Sequence, residues 1–125
     1  MTKTKHLHND RAQLAEDAWS ALPHGGHDAV RLQVHCARSH HVASVYDTTI
    51  GLVYAAPVRG RSHGERDLPD KPHGDQHPHR WFDLLVGAPA GDDSLPAWCD
   101  CGPRTLSRAA VLTWVDDGEH RVVVD

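Results

Sequence analysis

The chain has 125 residues, a formal net charge of −4 at pH 7 and 39% hydrophobic residues. This length suits one domain, residues 1–125, with a modest core, and the acidic charge disfavours a general nucleic-acid or anionic-membrane binder, because both require positive charge. The first residues lack the apolar stretch of a secretion signal and no apolar run reaches the roughly 20 residues of a membrane span, so we expect a cytoplasmic protein with reduced cysteines.

The first predicted element is an amphipathic helix over residues 10–22. Asp10 is a candidate N-cap, and Gln13 follows three residues later, as in a capping box. Apolar residues recur at helical spacing and predict one buried stripe, which consists of Leu14, Ala15, Ala18, Trp19 and Leu22. Pro23 and the glycines after it end the helix.

Several strands are predicted next. Apolar and polar residues alternate from Val30 and predict a strand that ends at Cys36. Two more β-rich runs, 42–46 and 50–56, flank a turn and predict a hairpin. Residues 80–86 return to the core as a strand or as a short helix, because the period of this apolar run is ambiguous.

The end of the chain predicts a second helix and a last strand. Ser107 is a good N-cap for a helix that runs to about Asp116, and Gly118 is a typical stop. Residues 120–124 then form a strand. Together these elements predict an α+β fold, in which two helices cover a small antiparallel sheet in a single domain.

Two short motifs contain the three cysteines. The first is Cys36-Ala-Arg-Ser-His40, and the second is Cys99-Asp-Cys101-Gly102. Three thiolates and an imidazole complete the tetrahedral ligand set of a structural zinc ion. We therefore predict one Zn²⁺ at Cys36, His40, Cys99 and Cys101. Gly102 fits this prediction, since a knuckle commonly needs a positive φ after its second cysteine.

The fourth ligand could be His40 or His41. We favour His40, because it gives a Cys-x3-His spacing, whereas His41 would continue into the next strand. His35 should point away from the site. The competing interpretation is three unrelated buried cysteines, but all three lie in turn-like polar surroundings, and the second pair is too close for an unstrained disulfide.

The motifs resemble the zinc-ribbon half-sites of small bacterial transcription-associated proteins, among them the actinobacterial RNA polymerase-binding proteins. The likeness covers about a dozen residues, namely 36–40 and the run Pro-Ala-Trp-Cys-Asp-Cys-Gly at 96–102. The chain departs from that pattern in its Cys-x-Cys spacing, in the 62 residues between Cys36 and Cys99, and in lacking an obvious basic linker to a polymerase- or sigma-binding helix. The resemblance implies a zinc-ribbon-like core and, as an expectation, polymerase binding.

A histidine-rich loop is predicted at 58–80. It contains His63, His73, His77 and His79 beside several aspartates. These imidazoles predict either a solvated loop or a second, open metal site, in which the last three leave a position for water or substrate. Their spacing matches no catalytic motif.

Candidate contacts to a partner flank the cysteine motifs: Arg38, Arg104, Arg108, Trp81 and Trp98. Arginine and tryptophan can bind nucleic acid, but both also serve protein interfaces, which the acidic charge favours. We therefore predict a non-enzymatic zinc-binding interaction module, regulatory or transcription-associated, with a protein partner and no membrane contact. The alternative is a metal-dependent enzyme or metal-handling protein that uses residues 63–79. The sequence does not define the oligomeric state.

Overall fold

The computed structural model describes residues 3–57 and 80–125, with side chains from Arg11 onward. The predicted second metal site at His63, His73, His77 and His79 lies outside the described residues.

Within these ranges the chain forms two α-helices, a 3₁₀ segment and seven strands. In chain order they are α1 (Lys3–Ser20), the 3₁₀ segment Pro23–Ala29, β1 (Val30–Cys36), β2 (His41–Thr48), β3 (Gly51–Pro57), β4 (Arg80–Leu84), β5 (Ser94–Cys99), β6 (Gly102–Ser107), α2 (Arg108–Asp116) and β7 (Arg121–Val124).

Five strands form the main sheet in the order β4-β3-β2-β1-β7. The first four are antiparallel neighbours, which confirms the predicted β2–β3 hairpin. The last strand, β7, runs parallel to β1 and pairs Val124 with Cys36. This parallel edge was not predicted, and it is possible because α2 and its loops carry the chain back between β6 and β7. The α+β class is confirmed.

The strands β5 and β6 form a separate two-stranded hairpin. No strands were predicted on either side of the second cysteine motif, so this hairpin was missed. Its buried residues alternate at Leu95, Ala97 and Cys99, but Pro96 and Pro103 weaken the strand signal, because proline is confined to edge or unpaired positions of a sheet.

The main sheet is covered on two sides. The hairpin and α2 pack on one side, over a core that includes Leu32, Val34, Tyr54, Leu95, Leu106 and Val111. The helix α1 packs on the other side, over Tyr46, Val53, Ala55 and Phe82, which contact Ala15 and Trp19. This arrangement holds the tip of the hairpin, at Cys99–Gly102, beside the end of β1.

The helices differ in how well they match the predictions. Ser107 caps α2 as predicted, since its Oγ accepts a hydrogen bond from the Ala110 N–H at 3.1 Å. In contrast, α1 begins at Lys3 rather than at Asp10, because no helix breaker precedes Asp10 and polar residues are tolerated on an exposed helix. Leu14 is 52% exposed, so the buried stripe of α1 is narrower than predicted. Among the described residues, no helix is long and apolar enough to cross a membrane.

A network of charged side chains fastens the base of the hairpin. Arg108, the first residue of α2, donates to Asp83 Oδ2 of β4 at 2.8 Å, and Arg11 of α1 donates to Asp83 Oδ1 at 2.8 Å. Arg108 also donates to the backbone carbonyls of Leu84 and Asp92, each at 3.0 Å. Asp83 and Arg108 are each only 6% exposed, so the network ties α1, β4 and α2 together beneath the surface.

Candidate metal centre

The first half-site is the turn between β1 and β2. The Ser39 N–H donates to the Cys36 carbonyl at 2.8 Å, and the Cys36 N–H donates to the His40 carbonyl at 2.9 Å. Ser39 adopts a left-handed conformation with φ 69°, which is uncommon for a residue other than glycine. This tight reversal places the side chains of Cys36 and His40 on the same side of the turn.

The second half-site is the tip of the β5–β6 hairpin. Cys99 pairs with Gly102, so Asp100 and Cys101 form a two-residue turn. Gly102 has φ 125°, which confirms the predicted positive value and explains why glycine stands there. The turn presents the sulfurs of Cys99 and Cys101 toward the first half-site.

The structure brings together all four predicted ligands. The candidate ligand atoms of Cys36, His40, Cys99 and Cys101 lie within 4.8 Å of one another, so this group could hold a metal ion. His40 Nδ1 lies 3.5 Å from the Cys36 sulfur and 3.6 Å from the Cys101 sulfur. A tetrahedral ion with metal–sulfur bonds of about 2.3 Å and a metal–nitrogen bond of about 2.0–2.1 Å requires a sulfur–nitrogen separation of about 3.5–3.6 Å. Both measured sulfur–nitrogen separations therefore match those around a four-coordinate ion.

Of the two candidate histidines, only His40 faces the sulfurs. His41 instead places its Nε2 2.8 Å from Ser44 Oγ. The His41 ring also packs edge-to-face against His35, with ring centroids 5.8 Å apart. His35 thus lies with His41 and outside the cage, as predicted.

Hydrogen bonds to two of the sulfurs complete the cage. The Arg38 N–H donates to the Cys36 sulfur at 3.3 Å, and the Cys101 N–H donates to the Cys99 sulfur at 3.4 Å. Arg104 Nε also donates to the Cys99 sulfur at 3.5 Å. Such donors stabilise the thiolate form that a metal requires. The role of Arg104 toward Cys99 was missed, because it depends on the register of the unrecognised hairpin.

The cage shifts the pKa values of two of its thiols in opposite directions. Burial alone raises the pKa of Cys36, but backbone N–H groups of His40 and Arg38 and the thiols of Cys99 and Cys101 outweigh it and lower that pKa to about 6. The pKa of Cys101 is instead raised, first by partial desolvation of its thiol and then by Cys99 and by the negative charge of Cys36. Three thiolates in one cage repel one another, and a bound cation removes that repulsion.

The outer nitrogen of His40 lies near a carboxylate. His40 Nε2 lies 3.9 Å from a carboxylate oxygen of Asp100, whose side chain is 85% exposed. Metal-binding histidines commonly have a carboxylate, carbonyl or water on the nitrogen that faces away from the metal. Asp100 lies in the direction of that outer partner, and this role was not predicted from the sequence.

The arginines that flank the motifs have separate roles. Arg108 is buried in the network with Asp83. Arg104 donates to the Cys99 sulfur and to the Asp125 carbonyl, the latter at 3.0 Å. Arg38 is exposed. Of these three arginines, Arg38 is therefore the one whose side chain is available to a polyanion.

Comparison of the chain with protein-family models, with curated proteins and with solved structures finds no match. The likeness to zinc-ribbon half-sites therefore depends on the motif residues alone.

Proposed function

We propose that this chain is a non-enzymatic interaction module stabilised by one structural zinc ion at Cys36, His40, Cys99 and Cys101. The observation that carries the proposal is the cage itself, in which four donor atoms lie within 4.8 Å of one another. Two turns from distant parts of the chain build it, and each turn has the backbone conformation that aims its donors inward.

The chemistry of the donors favours zinc over other ions. Calcium and magnesium prefer oxygen ligands, whereas thiolate and imidazole together suit zinc. A two-iron cluster divides its ligands between two metal atoms and would need a wider cage. Sulfur and nitrogen donors around a single point are the arrangement of structural zinc sites.

The same geometry favours a structural role over a catalytic one. Catalytic zinc sites keep an open position for water or substrate, and structural sites fill all four positions with protein donors. Here His40 supplies the fourth donor through Nδ1. The ion would connect the β1–β2 turn to the hairpin tip and so hold the two sheets together.

A protein is the partner that the surface favours. The net charge is −4 at pH 7, and Arg108 and Arg104 are both engaged within the fold. Both observations disfavour phosphate backbones, which bind through clusters of free cations. The likeness to zinc-ribbon half-sites directs the search for this partner to the transcription apparatus, with RNA polymerase as the first candidate.

Metal analysis tests the zinc proposal. Protein purified under reducing conditions should hold one zinc per chain, and EDTA should lower its thermal unfolding temperature, because a structural metal stabilises the fold that binds it. The variant His40→Ala should bind zinc at least about tenfold more weakly, a loss of the size seen when even an outer partner of a metal ligand is removed. The neighbouring variant His41→Ala is the matched control and should keep the ion.

Two results would change this assignment. A zinc content near zero in the reduced protein would overturn the proposal. A second, exchangeable ion that disappears when His73, His77 and His79 are replaced by alanine would favour the metal-handling alternative.

Direct binding to purified RNA polymerase tests the transcription-associated part. Zinc-loaded protein should bind and His40→Ala should bind more weakly, since the binding surface depends on the ion. An absence of binding by the zinc-loaded protein would refute this part and leave the zinc assignment standing.

A further inference from the structure

The three sulfurs of the cage do not have equivalent surroundings. Cys36 and Cys99 are 1% and 4% exposed. The sulfur of each accepts a hydrogen bond from the backbone N–H two residues further along the chain, which belongs to Arg38 and to Cys101 respectively. The same local geometry therefore shields both sulfurs and withdraws electron density from them.

Cys101 lacks both forms of protection. Its side chain is exposed, and the residue two positions further along is Pro103, which has no N–H to donate. Within the described part of the chain, the sulfur of Cys101 contacts the other members of the cage, among them His40 Nδ1 at 3.6 Å, and receives no backbone or guanidinium donor. The sequence itself thus removes the donor that the other two cysteines have.

This difference sets the relative reactivity of the three thiolates. A thiolate is the nucleophilic form of cysteine, and hydrogen bonds to a metal-bound sulfur stabilise the lone pairs with which it would attack. An exposed sulfur without such bonds is more nucleophilic and more accessible than its two neighbours.

We propose that Cys101 is a modification site, the reactive thiolate at which a hydroperoxide or another small electrophile opens the metal centre. This inference rests on the proposed zinc site. It adds a chemical class of reactant and a means by which that site could be regulated.

The reaction with a hydroperoxide proceeds in two balanced steps. In the first, the Cys101 sulfur attacks the terminal peroxide oxygen, a sulfur–oxygen bond forms, the oxygen–oxygen bond breaks, and the departing alkoxide or hydroxide takes a proton from water. In the second, the Cys36 thiolate attacks the Cys101 sulfur, a disulfide forms, and hydroxide leaves. The two thiolates lose two electrons, and the hydroperoxide gains them.

Geometry selects Cys36 as the second cysteine. The sulfurs of Cys36 and Cys101 lie 3.5 and 3.6 Å from the same His40 nitrogen, and they come from different parts of the chain. Cys99 is only two residues from Cys101, which is too close for an unstrained disulfide. The cage then loses two of its four ligands and releases its ion, while the disulfide keeps the β1–β2 turn linked to the hairpin.

Competitive labelling of the zinc-loaded protein tests the inference. With a limiting amount of N-ethylmaleimide, mass spectrometry should show Cys101 labelled at least about tenfold faster than Cys36 and Cys99, because its sulfur is exposed whereas the other two cysteines are buried. A chromogenic chelator should record zinc release at the rate of Cys101 labelling. Hydrogen peroxide should give the Cys36–Cys101 disulfide together with zinc release.

A variant outside the ligand set isolates the role of the hydrogen bonds. Arg104→Met removes a donor from the Cys99 sulfur and should raise Cys99 labelling severalfold, while Cys101 labelling changes by less than about twofold. If Arg104→Met leaves the Cys99 rate unchanged, hydrogen bonding does not set the reactivities.

The zinc content, measured before any reagent is added, separates this inference from the proposed function. A chain without zinc overturns the proposed function. A zinc-loaded chain in which Cys36 or Cys99 reacts first, or in which all three react at equal rates, overturns this inference alone.

Discussion

The β5–β6 hairpin is fastened to the rest of the protein at both ends, by two different kinds of chemistry. At its base, Arg108 and Arg11 neutralise the buried Asp83 through hydrogen bonds of 2.8 Å. At its tip, Cys99 and Cys101 face Cys36 and His40 across a cage that could hold a metal ion. The base contains both signs of charge, whereas the tip contains three thiols and a histidine that could hold a metal ion.

The two ends of the hairpin therefore differ in what they require from outside the chain. The attachment at the base is complete once the chain has folded, because each charged group meets a partner that the chain itself provides. If the proposed zinc ion is bound, the attachment at the tip depends on zinc supply and on the oxidation state of the cysteines. We therefore expect the base to respond to loss of its charged partners and the tip to respond to loss of the ion, each independently of the other.

The largest loss of stability is expected when the buried charged network at the base of the hairpin is disrupted. Asp83→Ala leaves Arg108 and Arg11 buried or half-buried without their shared carboxylate, and loss of one partner of a buried pair costs about 3–5 kcal/mol. Chemical denaturation of the zinc-loaded protein measures this change in the free energy of unfolding.

The matched control is Asp47→Ala, which removes an exposed ion pair with Arg31 at 3.1 Å. Exposed pairs contribute roughly 0–1 kcal/mol, so this variant should unfold close to wild type. Equal losses of stability in the two variants would show that the buried network contributes no more to stability than an exposed ion pair.

The second prediction concerns removal of the ion from the tip. After chelation, the amides of Arg38 and Cys101, which donate to sulfur, should exchange with solvent at least about tenfold faster, because the opening free energy falls locally. The Arg108 amide donates to the Asp93 carbonyl at 2.7 Å and should change by less than about twofold. Hydrogen exchange read by NMR measures both ends at once, and equal acceleration at the base would show that the ends are not independent.

The third prediction concerns the difference in reactivity between Cys101 and Cys99 at the tip. Pro103→Ala restores a backbone N–H two residues after Cys101 and should slow labelling of that sulfur by about fivefold, as one added hydrogen bond of about 1 kcal/mol implies. Labelling of Cys99 in the same sample serves as the internal reference. An unchanged or faster rate at Cys101 would show that the proline does not determine its reactivity.

The smallest effect on stability is expected at the base of the hairpin at low pH. The Ala109 N–H, and next the Ser107 hydroxyl, hold the pKa of Asp93 below its ordinary value. A carboxyl whose pKa is lowered by folding stabilises the protein above its unfolded pKa of about 4 and loses that contribution as the pH falls through the folded value. Asp93→Asn should therefore flatten the dependence of the unfolding free energy on pH below about 4. If the unfolding free energy of Asp93→Asn depends on low pH in the same way as that of wild type, the Asp93 carboxylate does not stabilise the fold in this way.

The two turns at the tip could be predicted from the sequence, because the residues that define each turn are close together in the chain. The spacing of Cys36 and His40 and the glycine after Cys101 indicate two turns that aim their donors inward. Nothing local indicates that the turns meet, and the prediction of one site depended on the ligand count that zinc requires. The choice of His40 over His41 also followed from spacing, and the structure places the His40 ring among the sulfurs.

The base could not be predicted, because its members are distant in sequence. Arg11 and Asp83 are separated by 72 positions, and Asp83 and Arg108 by 25. No periodicity marks a buried aspartate in β4, since an isolated charge in a strand usually indicates an exposed position. Arg108 was considered a surface contact for the same reason. Long-range pairing of this kind becomes visible only when the strand order is known.

The parallel pairing of β7 with β1 has a practical consequence. It places Val124 beside Cys36, and the Asp125 carbonyl accepts a hydrogen bond from Arg104, which also contacts the Cys99 sulfur. A fluorophore attached at position 125 would therefore sit next to the cage and should change its emission when zinc is added or withdrawn. Histidines introduced close to Asp125 would lie where they can compete for a metal ion at the cage, so additional metal-binding groups are better placed away from this strand.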